Sequence, residues 1–387
     1  MQTPSIKVLN TDLELLSEID LYTSLDFKRS WQGVGDFSLV IAGDNDSLKV
    51  GNIIIIDGNG HKSGIIRSVV KTSGDKGISI TATGQTLNGL TSQRIVLPYE
   101  SQADGGYFAV PRPSSSSTTA SAEYIIKTYI SACMGENSDE SRKIKNSSGE
   151  SIFTVAENKN RGIRSNWASR YSKLDEELQS ICEYCDCGYE IYIDLANRRY
   201  VCEYMPGVDR TTAQSDNSRV ILSKDFESID SVVYSADFSG YKNLAYCGGV
   251  GEGADRTVLA VKPDSVAYTP TGLGRYEVFI DCGSLEAVET DTALSLTDEG
   301  KHKLEEYEYV ESLTAVISQS GSFKYGEQWN LGDLVTISDR SISLSCDMRI
   351  SEITESYEPS KHSISVTLGS VPKRLGRVIR SLKSPVK

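Results

Sequence analysis

Residues 5 to 97 leave little choice of architecture. Short apolar runs, "SIKVL", "DFSLVIA", "NIIIID", "GIIRSVVK" and "GISITATG", are separated by "GDND", "DGNG" and "SGDKG". Side chains of a strand point alternately to its two faces, so an alternating run buries one face. Gly, Asn and Asp tolerate the positive φ of tight hairpins. The pattern predicts an antiparallel β-domain of about six strands.

The stretch "VGNIIIIDGNGHKSGIIRSVVKTSGDKGISITATG" (50 to 84) has an echo in "LGDLVTISDRSISLSCDMRISEITESYEPSKHSISVTLG" (331 to 369). Each opens on Gly and a polar residue, runs through a hairpin and a second strand, and closes a third strand in glycine. The matching positions are Gly51, Asn52, Asp57 and Gly84 in the first, and Gly332, Asp333, Asp339 and Gly369 in the second. The reading is one module present twice.

Between the two, composition shifts at the Ser-, Pro- and Gly-rich residues 99 to 122. "EYIIKTYISACM" has helical apolar spacing. A second helix is expected over 173 to 186, where Leu174, Leu178, Ile181, Cys182 and Cys185 form one stripe. Ser172 and Asp175 suggest a capping pair at its start and Gly188 its stop. A hairpin with its turn at "LANR" follows, then further strands and a last helix, "LTDEGKHKLEEYEYV".

The expected fold is therefore mainly β (α+β), with two duplicated antiparallel, barrel-like modules and a helix-containing insert. The expected boundaries are 1–98 for the first module, completed by strands within 205–250; 99–204 for an inserted α+β domain; 251–372 for the second module with a connecting helix; and 373–387 for a basic tail.

Charge and cysteine use narrow the function classes. The chain of 387 residues carries a net −13, although its last 15 residues hold six cations and no acid. An acidic body opposes nonspecific binding to nucleic acid. No apolar run reaches the ~18 residues that a membrane span needs, and "MQTPSIKVLN" does not read as a signal peptide, so synthesis in a cytoplasm is expected. The eight cysteines are mostly scattered, and reduced thiols are the expectation.

Sites of chemistry are weakly signalled. "CEYCDC" gives Cys182, Cys185 and Cys187, and Cys202 could supply a fourth metal ligand, yet two of these lie on the apolar stripe of a helix, where Cys packs as a small hydrophobe. "GGVGEGADR" lacks the helix that a phosphate-binding loop needs, because "TVLAVKP" reads as a strand. His61, His302 and His362 sit in polar turns or a charged helix without a catalytic motif. Acidic neighbours such as Asp175 and Glu176 read as solvated helix charge. No cofactor is expected. In the tail, Arg374, Leu375, Arg377, Ile379, Arg380 and Leu382 combine cations with a small apolar stripe that suits docking on an acidic neighbour.

The segments "FKRSWQGVGDFSLVI", "LDEELQSICEYCDCGYEIYID", "GVDRT", "YKNLAYCGGVGEGADR" and "FKYGEQWNLGDLVTI" follow one another over residues 25 to 370 in an order that resembles the tail-hub proteins of siphophages. That group extends to phage late control protein D and the baseplate hubs of contractile tails. The resemblance implies a non-enzymatic homotrimer whose two modules per chain form a pseudo-hexameric ring. It implies a place at the distal end of the virion tail, after synthesis in the host cytoplasm. The ring would join the tail-tube or distal tail protein to a spike or fibre and the tape-measure protein, with DNA only in transit and no membrane insertion. The serine-rich stretch 114 to 121 and the basic tail have no counterpart in that pattern.

Two other classes stand beside this one. A tail-associated hydrolase of cell wall or polysaccharide would need a paired acid and base or a metal in a cleft. A receptor- or carbohydrate-binding protein could use the 20 tyrosines, which are spread along the chain rather than clustered.

Overall fold

The N-terminal alternation folds as seven strands: β1 (Ile6–Leu9), β2 (Leu15–Ile19), β3 (Ser24–Ser30), β4 (Asp36–Ala42), β5 (Ile53–Ile56), β6 (Asn59–Gly74) and β7 (Gly77–Thr86). The structure is a computed structural model and describes residues 3–75, 77–99, 106–112, 115–283, 296–305, 307, 310–318, 321–342 and 344–369. Leu25, Phe27, Leu39 and Ile41 point inward from β3 and β4, and the residues between them face outward. The continuous run of β5 has a different cause. Ile54 and Ile56 enter the core under β3 and β4, whereas Ile53 and Ile55 enter the core of the following insert. All four are at most 1% exposed, and burying each contributes about 1.5–3 kcal/mol.

The insert comprises β8 (Phe108–Val110), β9 (Ala120–Ser121), α1 (Ala122–Met134), β10 (Phe153–Val155), β11 (Arg164–Ser165), β12 (Trp167–Ser169), α2 (Leu174–Cys185), β13 (Gly188–Asp194) and β14 (Arg199–Met205). The predicted stripe of α2 is buried as read, against Ile126, Tyr129 and Ile130 of α1 in one apolar cluster. The predicted capping pair does not form. Residues 171–174 make a short backbone ladder with Arg94 and Val96, which leaves Lys173 as the residue before α2. Ser172 Oγ and Asp175 Oδ1 have no hydrogen-bond partner among the described residues. Nor does Gly188 stop the helix: Asp186 takes the left-handed cap at φ 46°, and Gly188 opens β13. At the start of α1, Glu123 is fully buried and accepts from Lys127 Nζ at 2.8 Å and from Arg161 N, Nε and Nη2 at 2.9, 3.1 and 2.8 Å. Burial alone would raise its pKa, but the hydrogen bonds from Arg161 and Lys127 outweigh it and hold the carboxyl well below its ordinary range.

After the insert come β15 (Ile221–Ser223) and β16 (Ile229–Asp237). Contacts divide the chain into a larger unit, Met1–Val232 with Thr314–Leu368, and a smaller one, Val233–Leu313 with Gly369–Lys387. The smaller unit contains β17 (Leu244–Gly248), β18 (Val258–Val261), β19 (Glu277–Asp281) and α3 (Leu296–Glu305), with strand order β18-β17-β19. Leu296 and Leu304 of α3 pack on Ala245, Cys247, Val261 and Ile280. The "GGVGEGADR" segment leads into strand β18, as its sequence indicated. Four more strands are found among the described residues: β20 (Val310–Ile317), β21 (Leu334–Asp339), β22 (Leu344–Glu358) and β23 (Lys361–Gly369). The principal sheet runs β16-β20-β23-β22-β3-β4-β7-β6-β5-β1-β2, with β21 pairing β22 and β15.

The two echoing stretches, β5-β6-β7 and β21-β22-β23, are both antiparallel meanders, and they share details beyond strand count. In one, Gly51 N donates to Ile66 O at 2.9 Å and Ile66 N to Asn52 O at 2.8 Å; in the other, Gly332 N donates to Ile350 O at 2.9 Å and Ile350 N to Asp333 O at 2.8 Å. Both glycines have positive φ, 94° and 86°. Each central strand then bulges one residue later, at Arg67 and at Ser351. The correspondence does not extend to every position matched by sequence. Ile66 pairs with Gly84 but Ile350 with Leu368, so Gly369 lies one residue beyond the counterpart of Gly84. Asp57 occupies a tight turn at φ 53°, whereas Asp339 ends β21, accepts from Ser341 and pairs with Lys224 at 3.0 Å.

The second meander is fastened to the rest of the larger unit by Trp31. Its backbone N–H extends the β3–β22 ladder to Ser351 O at 2.9 Å. A Cβ on Gly332 would lie 2.3 Å from the indole, and one on Gly188 2.4 Å. Arg349 Cζ sits 4.5 Å from the indole, while its Nη1 donates to Gly332 O at 2.7 Å and its Nε to Asp186 at 3.0 Å. Gly51, the twin of Gly332, has nothing within 4 Å of its Cβ position.

Two stability measurements follow. Alanine at Gly51 forces a left-handed conformation and costs about 1–2 kcal/mol. Gly332→Ala adds overpacking against Trp31, typically about 1–3 kcal/mol more, so urea denaturation places Gly332→Ala clearly below Gly51→Ala. Glu123→Gln removes one of two carboxylates from Lys127 and Arg161, both of which keep Glu203 at 3.0 and 2.8 Å, and lowers stability by about 1–3 kcal/mol at neutral pH. Since the folded pKa is depressed, the carboxylate's contribution is present above its unfolded value of about 4.3 and is lost as pH falls through the folded value. Wild type and Glu123→Gln therefore converge in acid.

Candidate assembly surface

Charged side chains from four strands meet beside Trp31. Glu355 of β22, 2% exposed, accepts from Lys62 Nζ of β6 at 2.6 Å and from the hydroxyls of Tyr357 and Tyr325 at 2.6 and 3.3 Å. Arg29 of β3 donates to the Tyr325 hydroxyl and lies 3.6 Å from Glu190 of β13. His61 Nδ1 stands 2.9 Å from the same Glu190, and that hydrogen bond raises the histidine pKa against the opposing effect of burial. His362, stacked on Tyr357 at 4.3 Å, is instead lowered by burial. The cations Arg29 and Lys62 thus face the carboxylates Glu190 and Glu355, while Arg29 Nε and His362 Nε2 are buried without a hydrogen-bond partner among the described residues.

The space around this network is small. A cavity of 10 Å³ lined by Arg29, Ser30, His61, Asn88, Glu190 and Leu331 has room for about one water. Asn88 there is fully engaged, donating to Gly33 O and Tyr189 O and accepting from Ile191 N. An open groove of 470 Å³ runs along Asp26, Asp36, Ser38, Arg67, Thr83 and Gln85. Its two carboxylates are held by Ser356 and, at 2.9 Å, by Lys28.

Cys182, Cys185, Cys187 and Cys202 are all buried in the insert's apolar core. Burial pushes the Cys202 thiol up to about 12, and hydrogen bonding to Cys182 raises Cys187 further. Thiolates, not thiols, bind metals, so this setting favours packing. Among the described residues no group of three or more His, Cys, Asp or Glu side chains is disposed to hold a metal ion, and no helix is long and apolar enough to cross a membrane. The tail residues Arg374, Leu375, Arg377, Ile379, Arg380 and Leu382 lie outside the described residues.

The motif residues fall into a covered turn and an open one. Leu331 is buried, Gly332 is closed in by Trp31, and Asp333, 3% exposed, accepts from Arg210 Nε at 2.7 Å and Val208 N at 3.1 Å. Val50 is 64% exposed beside an uncovered Gly51, and Asn52 turns inward to donate to Ser47 O at 2.7 Å. Sequence reading missed Trp31, Arg349, Arg29 and Glu190, and took Gly188 for a helix stop instead of a contact of Trp31. The signal available was the Trp31 indole itself, one of three in the chain, set in the glycine-rich "SWQGVG".

A family profile described as "Siphovirus ReqiPepy6 Gp37-like protein" matches residues 5–370. Among solved structures, the fold is similar to the 43 kDa tail protein of prophage MuSo2 from Shewanella oneidensis, with a TM-score of 0.54 and 13% identity over 95% of this chain and 98% of that one. It is also similar to the tail protein from Neisseria meningitidis MC58, with a TM-score of 0.50 and 12% identity over 95% and 97% of the two chains. No curated protein sequence matches. With the profile spanning nearly its whole length, the chain belongs to the siphovirus ReqiPepy6 Gp37-like family.

Proposed function

We propose that the chain is a structural hub at the distal end of a phage tail, in which three copies form a ring of six similar modules. The observation that carries this reading is the shared hydrogen-bond pattern and bulge of the two meanders, at Gly51/Asn52/Ile66 and Gly332/Asp333/Ile350. One segment present twice lets a threefold assembly meet a sixfold partner, because each copy offers two nearly equivalent contacts. The tail-tube or distal tail protein ring is that partner. A spike or fibre and the tape-measure protein occupy the threefold side, and the helix-bearing insert buttresses the modules. Net charge of −13 suits a channel through which DNA passes without sticking.

The hydrolase reading would have to use the open 470 Å³ groove, where Asp26 is held by Ser356 and Asp36 by Lys28 at 2.9 Å. Several tyrosines, among them Tyr129, Tyr189, Tyr200 and Tyr204, are buried in packing, which removes them from a glycan-binding surface. Light scattering of the pure chain is expected to give three times its 42.3 kDa mass, and negative-stain images a ring with six similar lobes. Incubation with purified peptidoglycan is expected to release no soluble fragments. A persistent monomer at high concentration, or fragment release, would overturn the reading.

A further inference from the structure

The two meanders differ in what borders their central strands. On β22 the N-terminal half pairs with β21, and residues 352–357 pair with residues 25–30 of β3. On β6 the N-terminal half pairs with β5 in the same way. With Ile66 matched to Ile350, the counterpart of 352–357 is 68–73. Among the described residues that stretch pairs with β7 alone, so its outer backbone edge is open.

A second open edge answers the first. The succession β16-β20-β23-β22 repeats β3-β4-β7-β6, which puts β16 in the place of β3. Yet β3 is flanked on both sides, by β4 and β22, while β16 is an end strand of the sheet among the described residues. The two edges left open within the chain are thus the counterparts of two edges that pair with each other inside it.

Resting on the threefold reading, we infer that residues 68–73 of one copy pair with β16 of the next, repeating between chains the β22–β3 ladder within a chain. Open strand edges pair readily with another chain, which is why soluble proteins usually protect them. The side chains fit such a ladder. Val70 is 56% exposed and Val233 of β16 64%, an unusual outlay of β-branched residues on open strands. Lys71, the only charged residue in 68–73, is already held within the chain by Asp44 at 2.6 Å and Asp46 at 3.9 Å, so the pairing rests on the backbone edges and the two valines. The pairing also brings a neighbour toward Val50 and Gly51, the turn left bare where its twin at Leu331 and Gly332 is covered. Three such ladders, alternating with three internal ones, close the ring without an open edge at these strands.

The full-length chain and three variants, Val70→Asp, Val233→Asp and Leu16→Asp, test this by light scattering, with circular dichroism and thermal unfolding as folding checks. Leu16 lies on β2, the opposite end strand, and is 48% exposed. Val70→Asp and Val233→Asp are expected to shift the mass from trimer to folded monomer, a threefold loss, while Leu16→Asp leaves the trimer intact. Hydrogen exchange gives a second readout: amides of residues 68–73 are protected in wild type and exchange quickly in Val233→Asp. A wild-type trimer that both valine variants preserve, or one that Leu16→Asp alone dissociates, overturns the pairing and leaves the threefold reading standing. A monomeric wild type overturns both.

Discussion

A single indole holds three parts of the larger unit in register. Trp31 directly follows β3, and the first residue of β13 and the opening turn of the second meander both close on its ring at positions where only glycine leaves room. Arg349 completes the arrangement, with its guanidinium against the indole, one nitrogen on the Gly332 carbonyl and another on Asp186 at the end of α2. Guanidinium suits such a place because it is planar, permanently charged and able to stack and donate at once. Gly332 answers two demands together, positive φ for the turn and absence of a side chain for the ring.

Around this point the apolar and polar forces divide their work. The isoleucines of β5 feed two cores from one strand, so the first sheet and the insert cannot separate without exposing both. The network of Arg29, Lys62, Glu190 and Glu355 adds little net energy, since desolvation offsets most of the attraction between buried charges. Its members come from four different strands, however, and a slip of one residue would carry a charge to the opposite face. The hydrophobic terms thus supply cohesion, and the charged network discriminates against wrong registers.

Local patterns in the sequence were legible where local forces decide the outcome. The stripe of α2, the "LANR" hairpin and the strand after "GGVGEGADR" all follow from side-chain periodicity or turn chemistry. Features settled by distant partners were not. Ser172 and Asp175 have the right types and spacing for a cap, yet the ladder to residues 94–96 fixes that backbone otherwise. Gly188 looked like a helix terminator because Trp31, more than 150 residues earlier, leaves no trace in its neighbourhood. The matched aspartates 57 and 339 share a letter but not a task, one occupying a left-handed turn and the other binding Ser341 and Lys224. For the assembly surface, the echo was visible, but which twin is covered could be known only from folded neighbours.

The differences between the twin turns follow from what each one meets. Asp333 faces the Arg210 guanidinium and the N–H groups of Val208 and Asn330, all donors, so the position takes an acceptor-only carboxylate. Asn52 faces the carbonyl of Ser47 and must donate, which a carboxylate cannot do. Leu331 is buried and Val50 exposed; a Cβ on Gly332 would meet the Trp31 indole, and one on Gly51 would meet nothing within 4 Å among the described residues. The two turns share one hydrogen-bond geometry and carry an amide in one place and a carboxylate in the other because the side chains meet different partners.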